Sequence, residues 1–304
     1  MMTTNNEVLS DPLAKKAEAE LHQVLKTQSE FVKVHAAEYL IWLGEKTEAK
    51  AAFLKEDELH HNVPKYRVVV WRVLAQAETE PAMKKKWTDQ VFKAFADENG
   101  LDRIHAAETL GKLKLSPMDN FSAETNKILS TEKENLYVYT LWASSHASAA
   151  AYEKNKTKFL DLLLTSEKED LKRISAFVLR KEGKLTQQEW ELLAAKALAE
   201  PTTSPLKKTM LNTAFDTLPK GIEKKDEVAK IKAGMLKDHQ QLTAGGRIEL
   251  ALVLADNGDE TDLPLLKGML ENENSKGFYE LNSPLAADVR ATAAYAILKI
   301  KKRK

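Results

Sequence analysis

Val34-His35-Ala36-Ala37-Glu38-Tyr39-Leu40 returns seventy positions later as Ile104-His105-Ala106-Ala107-Glu108-Thr109-Leu110, and each copy follows a basic residue, Lys33 or Arg103. A diverged copy, Arg67 followed by Val68 through Leu74, stands between them. The internal period is therefore about 35 residues, the mark of a chain built from repeated supersecondary units. Taking the basic residue as anchor extends the series to Lys33, Arg67, Arg103, Tyr137, Arg173, Lys207, Arg247 and Arg290, with gaps of 34, 36, 34, 36, 34, 40 and 43.

Between the anchored segments the sequence predicts a second set of helices, over 12–27, 48–60, 81–97, 122–129, 152–164, 186–200, 224–238 and 262–271. The last anchored helix is predicted over 285–300. Gly44, Gly111, Gly183 and Gly258 follow anchored segments, where a left-handed C-terminal residue favours glycine. Asp102, Asp170 and Asp288 stand where N-caps are expected. Tyr66 through Leu74 is β-branched and aromatic and in isolation resembles a strand. The flanking period assigns it to a helix instead, with Val70, Trp71 and Leu74 in the core.

On a helical wheel Ala36, Ala37, Leu40 and Ile41 share one face, as do Ala106, Ala107 and Leu110. Alanine lets neighbouring helices approach to roughly 8–10 Å, so units can stack and bury faces that one helix pair cannot cover alone.

This pattern resembles the HEAT repeat family, including its short bacterial HEAT-like members, whose second helix reads Asp-x-x-Val-Arg-x-x-Ala-Ala-x-x-Leu. Asp288, Val289, Arg290, Ala293, Ala294 and Ile297 match it best; Val32, Lys33, Ala36, Ala37, Leu40 and Gly44 match well, as do Arg103, Ala106, Ala107 and Leu110. Arg173 with Ala176 matches less closely. The fourth and sixth units depart, with Tyr137 for the basic residue and Met210-Leu211 for the alanine pair. The resemblance implies an all-α, right-handed α-solenoid of about eight HEAT-like helix pairs, an α-α superhelix related to armadillo arrays, with the anchored helices lining its concave side. It further implies a ladder of Asp and Arg between repeats, the role assigned to Asp102, Arg103, Asp288 and Arg290. The expected organisation is a tail over 1–11, one solenoid over 12–300 and a basic tail over 301–304, the last read as a solvated terminus.

If the alanine face is buried, the opposite face presents His35, Glu38 and Trp42. Transferring that register gives Val69, Arg72 and Gln76, then His105, Glu108 and Lys112, then Tyr139, Trp142 and His146. Ser175 and Val178 follow, with Thr209, Asn212 and Asp216, then Glu249, Leu252 and Asp256, and finally Thr292, Tyr295 and Lys299. The first half of the row is rich in the aromatic and arginine side chains that recognition surfaces use. His35, Glu38, Trp42, Arg72, His105, Glu108, Tyr139, Trp142 and His146 are therefore the candidate binding residues. The alternative is that Trp42 and Trp142 pack on helix seams while Glu38, Arg72 and Glu108 form a solvated charge row.

Composition narrows the function. Lys+Arg 46 against Asp+Glu 45 gives a net charge of +1, so no global field attracts nucleic acid or an anionic membrane. Glu38, Glu108, Asp216, Glu249 and Asp256 in the row also oppose the continuous basic groove of a HEAT-like DNA glycosylase. With no cysteine, thiolate metal sites and disulfides are excluded. The His35–Glu38 and His105–Glu108 pairs sit two units apart, roughly 20 Å at ordinary helix spacing, too far to share a metal ion whose bonds are about 2 Å. His60-His61 reads as part of a solvated loop. No phosphate loop, nucleophile elbow or zinc-protease motif supports an enzyme such as the HEAT-like lyases that act on bilins. The expectation is a non-enzymatic scaffold, cofactor-free and monomeric, that grips a protein or peptide across repeats one to four. No apolar run approaches the ~18 residues of a membrane span. The N-terminus has no secretion pattern, which places the chain in the cytoplasm, or outside it if the doubled Met1-Met2 marks a trimmed leader. A loop over 271–284, with Gly277-Phe278-Tyr279, is the remaining long connection and is read as capping the end of the core.

Overall fold

The computed structural model describes residues 11–131, 133–183, 185–272, 280 and 283–303. Gly277-Phe278-Tyr279 lies outside the described residues. Sixteen α-helices and two short 3-10 turns occur among the described residues, with no strand. Every anchor falls in a helix: Lys33 in α2 (Glu30–Leu43), Arg67 in α4 (Tyr66–Ala77), Arg103 in α6 (Arg103–Lys112), Tyr137 in α8 (Asn135–Ser145). The series continues with Arg173 in α10 (Glu169–Glu182), Lys207 in α12 (Lys207–Asp216), Arg247 in α14 (Ala244–Asn257) and Arg290 in α16 (Pro284–Lys302). Between them run α1 (Pro12–Thr27), α3 (Lys46–His60), α5 (Pro81–Ala96), α7 (Ser122–Thr131), α9 (Ala149–Thr165), α11 (Gln187–Ala199), α13 (Lys225–Leu236) and α15 (Leu263–Leu270).

The chain sorts into two compact units, Lys50–Lys196 and a second made of Met1–Ala49 with Ala197–Lys304. In the first unit the anchored helices α4, α6, α8 and α10 form a row, each packed on the next. Helix α5 backs α4 and α6, while α9 backs α8 and α10. In the second unit the row is α12, α14, α16 and then α2, so the first anchored helix packs on the last. Helix α1 packs on both α2 and α16. An array with two loose ends does not predict that contact.

The small-residue face behaves as its chemistry requires. Ala36, Ala37, Leu40, Ala106, Ala107, Leu110, Ala293 and Ala294 are all fully buried, and each such leucine contributes about 1.5–3 kcal/mol. Val70, Trp71 and Leu74 are buried in α4, as the period required, and the Trp71 indole Nε1 donates to Asp57 Oδ1 at 3.0 Å. The strand-like composition of this segment reflects its burial on nearly all sides, since Val68 through Ala75 are buried without interruption. His60 ends α3, with its ring against Tyr66, and His61 stands in the turn that follows.

Several local expectations need correction. Gly44 and Gly183 are left-handed helix ends, with φ of 100° and 60°. Gly258 instead has φ of −74°, and Gly111 belongs to α6 itself. Gly111 is required by close approach: a β-carbon there would stand 2.5 Å from the Trp142 ring. The aspartates are not side-chain caps of the anchored helices either. Asp102 stands at the N-cap position of α6 but makes no side-chain capping bond; it is buried and accepts from Arg67 Nε at 2.6 Å, linking α4 to α6, and Asp170 lies inside α10. Asp288 lies inside α16 and faces His35. Arg103 Nε donates to the Phe95 carbonyl and Arg290 to Glu20, so neither completes an Asp–Arg rung by these bonds. Asp11, assigned to the N-terminal tail, caps α1 through the Leu13 and Ala14 amides and receives Lys301. At the basic terminus Lys302 and Arg303 are exposed, yet Lys301 and Lys302 continue α16 and Arg303 donates to the Asp256 and Gly258 carbonyls at 2.5 and 2.8 Å.

Candidate binding surface

The nine candidate residues divide between the two units. His35, Glu38 and Trp42 lie on α2 in one; Arg72, His105, Glu108, Tyr139, Trp142 and His146 lie on or just beyond α4, α6 and α8 in the other. Their exposure also divides them. Glu38 is 3% exposed, Arg72 2% and Trp142 1%, so these three do not form the open contact surface expected of them. Farther along the register Val69, Ser175, Val178, Thr209, Asn212, Thr292 and Tyr295 are buried as well. The cause is lateral packing. An anchored helix has anchored neighbours on its flanks and an outer helix behind, so the buried arc is wider than one alanine face and leaves a narrow strip.

In the Lys50–Lys196 unit that strip is centred on Glu108. Lys112, one turn along α6, meets its carboxylate at 2.8 Å, and the two side chains are 21% and 20% exposed. Arg72 reaches from α4 to Thr109 Oγ1 at 3.3 Å and lies beneath the strip. Burial opposes the charge on Glu108, but the cations Lys112 and Arg72 outweigh it and hold the carboxyl below the usual glutamate range. Burial pushes the His105 imidazole down against the pull of Glu108, with Lys65 and Arg72 adding to the decrease. Burial, reinforced by the Glu108 charge, raises the Tyr139 phenol well above its ordinary value. Glu108 is thus an anion held between cations, beside a phenol that stays protonated and an imidazole that favours its neutral form.

The strip continues onto α10. Trp142 donates its indole N–H to Glu182 at 2.7 Å and meets Phe177 edge to face at 5.7 Å. Lys112 and Lys181 both stand over the Phe177 ring, at 5.5 and 5.8 Å. His146 Nε2 lies 3.4 Å from Glu182, and burial lowers its basicity while Glu182 opposes the change. Phe177, Lys181 and Glu182 were not singled out from the sequence. Glu182 carried a signal, since it occupies the same register as Lys112 and His146. Phe177 sits one position before the transferred Val178, and no pattern marked it.

In the other unit His35 and Trp42 border an aromatic stack. Tyr39 lies nearly parallel to Tyr295 at 4.8 Å and shares a hydrogen bond with Thr292 at 2.9 Å. Trp42 meets both tyrosines edge to face at 5.7 Å and stays 41% exposed. Its packing is the seam contact offered as the alternative, though the residue stays partly accessible. The His35–Glu38 and His105–Glu108 pairs occupy different units. Among the described residues, the side chains whose donor atoms come close enough to share a metal ion are Glu18, His22 and Glu45, none of them in the predicted row.

No helix among the described residues is long and apolar enough to cross a membrane. Comparison with protein-family models, with curated proteins and with solved structures gives no match.

Proposed function

We propose that the chain is a monomeric, non-enzymatic binding module of HEAT-like repeats, an α-solenoid in its repeat plan, and that it holds a protein or peptide on the strip formed by α6, α8 and α10. This narrows the expected groove of repeats one to four to the Lys50–Lys196 unit. The observation that carries the reading is the partly exposed set Glu108, Lys112, Tyr139 and Phe177, backed by buried Arg72 and Trp142. Side chains locked from beneath lose little freedom on binding, which lowers the entropic cost of recognition. Alternating charges flanking an aromatic ring suit a partner segment of mixed charge with an apolar anchor.

Affinity capture followed by quantitative mass spectrometry tests the reading, comparing the intact chain with Lys112→Glu/Lys181→Glu, both confirmed helical by circular dichroism. The expected outcome is one or more proteins held by the intact chain and lost by the variant. Identical capture by both, or salt-dependent retention of DNA in place of protein, would overturn it.

A further inference from the structure

We propose that Glu18, His22 and Glu45 form a site for a divalent transition-metal ion of the zinc class, with Glu48 as the group that orients the histidine. Glu18 and His22 stand four residues apart on α1, which places them one above the other on one helix face. Left-handed Gly44 then turns the chain out of α2, and the Glu45 amide closes the turn onto the Leu40 carbonyl at 2.8 Å. That corner carries Glu45 to the face of α1 that bears His22, whose Nε2 lies 3.2 Å from Glu45 Oε2. One donor atom from each of Glu18, His22 and Glu45 lies within 4.8 Å of the other two. Zinc bonds of about 2.0–2.2 Å in a tetrahedron put ligand atoms roughly 3.3 Å apart. Small rotations of these half-exposed side chains close the difference.

Two further features distinguish the group from an ordinary surface ion pair. The first is the other ring nitrogen: His22 Nδ1 meets Glu48 Oε2 at 2.5 Å. A histidine that offers one nitrogen to the metal while donating the other N–H to a carboxylate is the usual metal-binding arrangement, because the carboxylate fixes the ring and raises its donor strength. The second is charge. Among the described residues no lysine or arginine pairs with Glu18, Glu45 or Glu48, and His22 is the ionic partner of Glu45 and Glu48. Elsewhere in the same unit Asp11, Glu20, Asp262 and Glu271 are each matched by Lys301, Arg290, Lys232 and Lys16. Three carboxylates around one imidazole leave an excess of negative charge that a divalent cation neutralises. Imidazole with carboxylates selects zinc and its neighbours over magnesium or calcium, which prefer oxygen alone.

Titration calorimetry of the full chain with zinc chloride, run beside magnesium and calcium chloride, tests the site. One zinc per chain is expected, with no comparable binding of magnesium or calcium. His22→Ala should abolish that binding, Glu45→Gln should weaken it at least tenfold, and Glu48→Gln about 10–100-fold through loss of the orienting carboxylate. Absence of stoichiometric zinc binding would overturn the proposal, as would zinc binding that persists in His22→Ala. Circular dichroism confirms the fold of each variant, and if His22→Ala unfolds, Glu45→Gln decides the matter.

Discussion

His35 and Asp288 stand 253 positions apart in the chain, yet His35 Nδ1 lies 2.8 Å from Asp288 Oδ1, joining α2 to α16. With the Tyr39–Tyr295 stack and the Tyr39–Thr292 hydrogen bond, the pair ties α2 to α16. Asp288 is 7% exposed, so removing its partner leaves a poorly solvated carboxylate. His35→Ala is expected to lower stability by about 1–3 kcal/mol. A double-mutant cycle with Asp288→Asn, followed by urea denaturation, should give a coupling of at least ~0.5 kcal/mol; independent effects would mean that the contact does not hold the two helices.

Gly111→Ala is expected to destabilise, against the usual direction for a helix. Alanine normally improves a helix position occupied by glycine by roughly 1 kcal/mol. Here the added methyl would meet the Trp142 ring at 2.5 Å. Overpacking of this kind costs about 1–3 kcal/mol. Thermal denaturation checks the sign, and Trp142→Phe in the same chain should recover part of the loss.

Acidification should weaken the fold through His105 and His146. Burial depresses both imidazoles below their ordinary value near 6.5, against opposing Glu108 and Glu182. Below that pH the unfolded chain takes up protons that the folded chain resists, so this stability is full above about pH 6.5 and is lost as pH falls towards the folded values. Urea midpoints at pH 7.5, 6.5 and 5.5 should therefore decrease in that order. His105→Asn with His146→Asn should flatten the decline. Glu108 acts at lower pH: its depressed carboxyl contributes stability above the usual glutamate range and loses it as pH falls through the folded value.

Arg303 closes the end of α14 by donating to the Asp256 and Gly258 carbonyls. Cations at helix C-termini contribute about 0.3–1 kcal/mol. Arg303→Ala should raise amide exchange in the last turn of α14, read by hydrogen-exchange mass spectrometry, while α6 and α8 remain unchanged.

The all-helical fold was legible because Ala36-Ala37 and Ala106-Ala107 record a local constraint, the burial of a small-residue face where one helix approaches the next. Arg72 and Trp142 were misread for a related reason. A wheel assigns one buried face, whereas a helix with neighbours on both flanks buries flanking positions too, and those neighbours cannot be seen from the helix's own sequence. Asp288 looked like a helix cap because its true partner, His35, lies at the opposite end of the chain. Gly111 read as a helix end because a required absence of a side chain looks the same in sequence whether it serves a turn or an indole. Nothing in the repeat pattern marked Glu18 or His22, which belong to the outer helix α1 rather than to an anchored one.

Hydrogen-exchange footprinting of the chain with and without a captured partner tests the binding strip most directly. Slowed exchange confined to α6, α8 and α10 is the expected result. Protection that falls on α5, α7 and α9, or only on the unit containing Trp42, would contradict it.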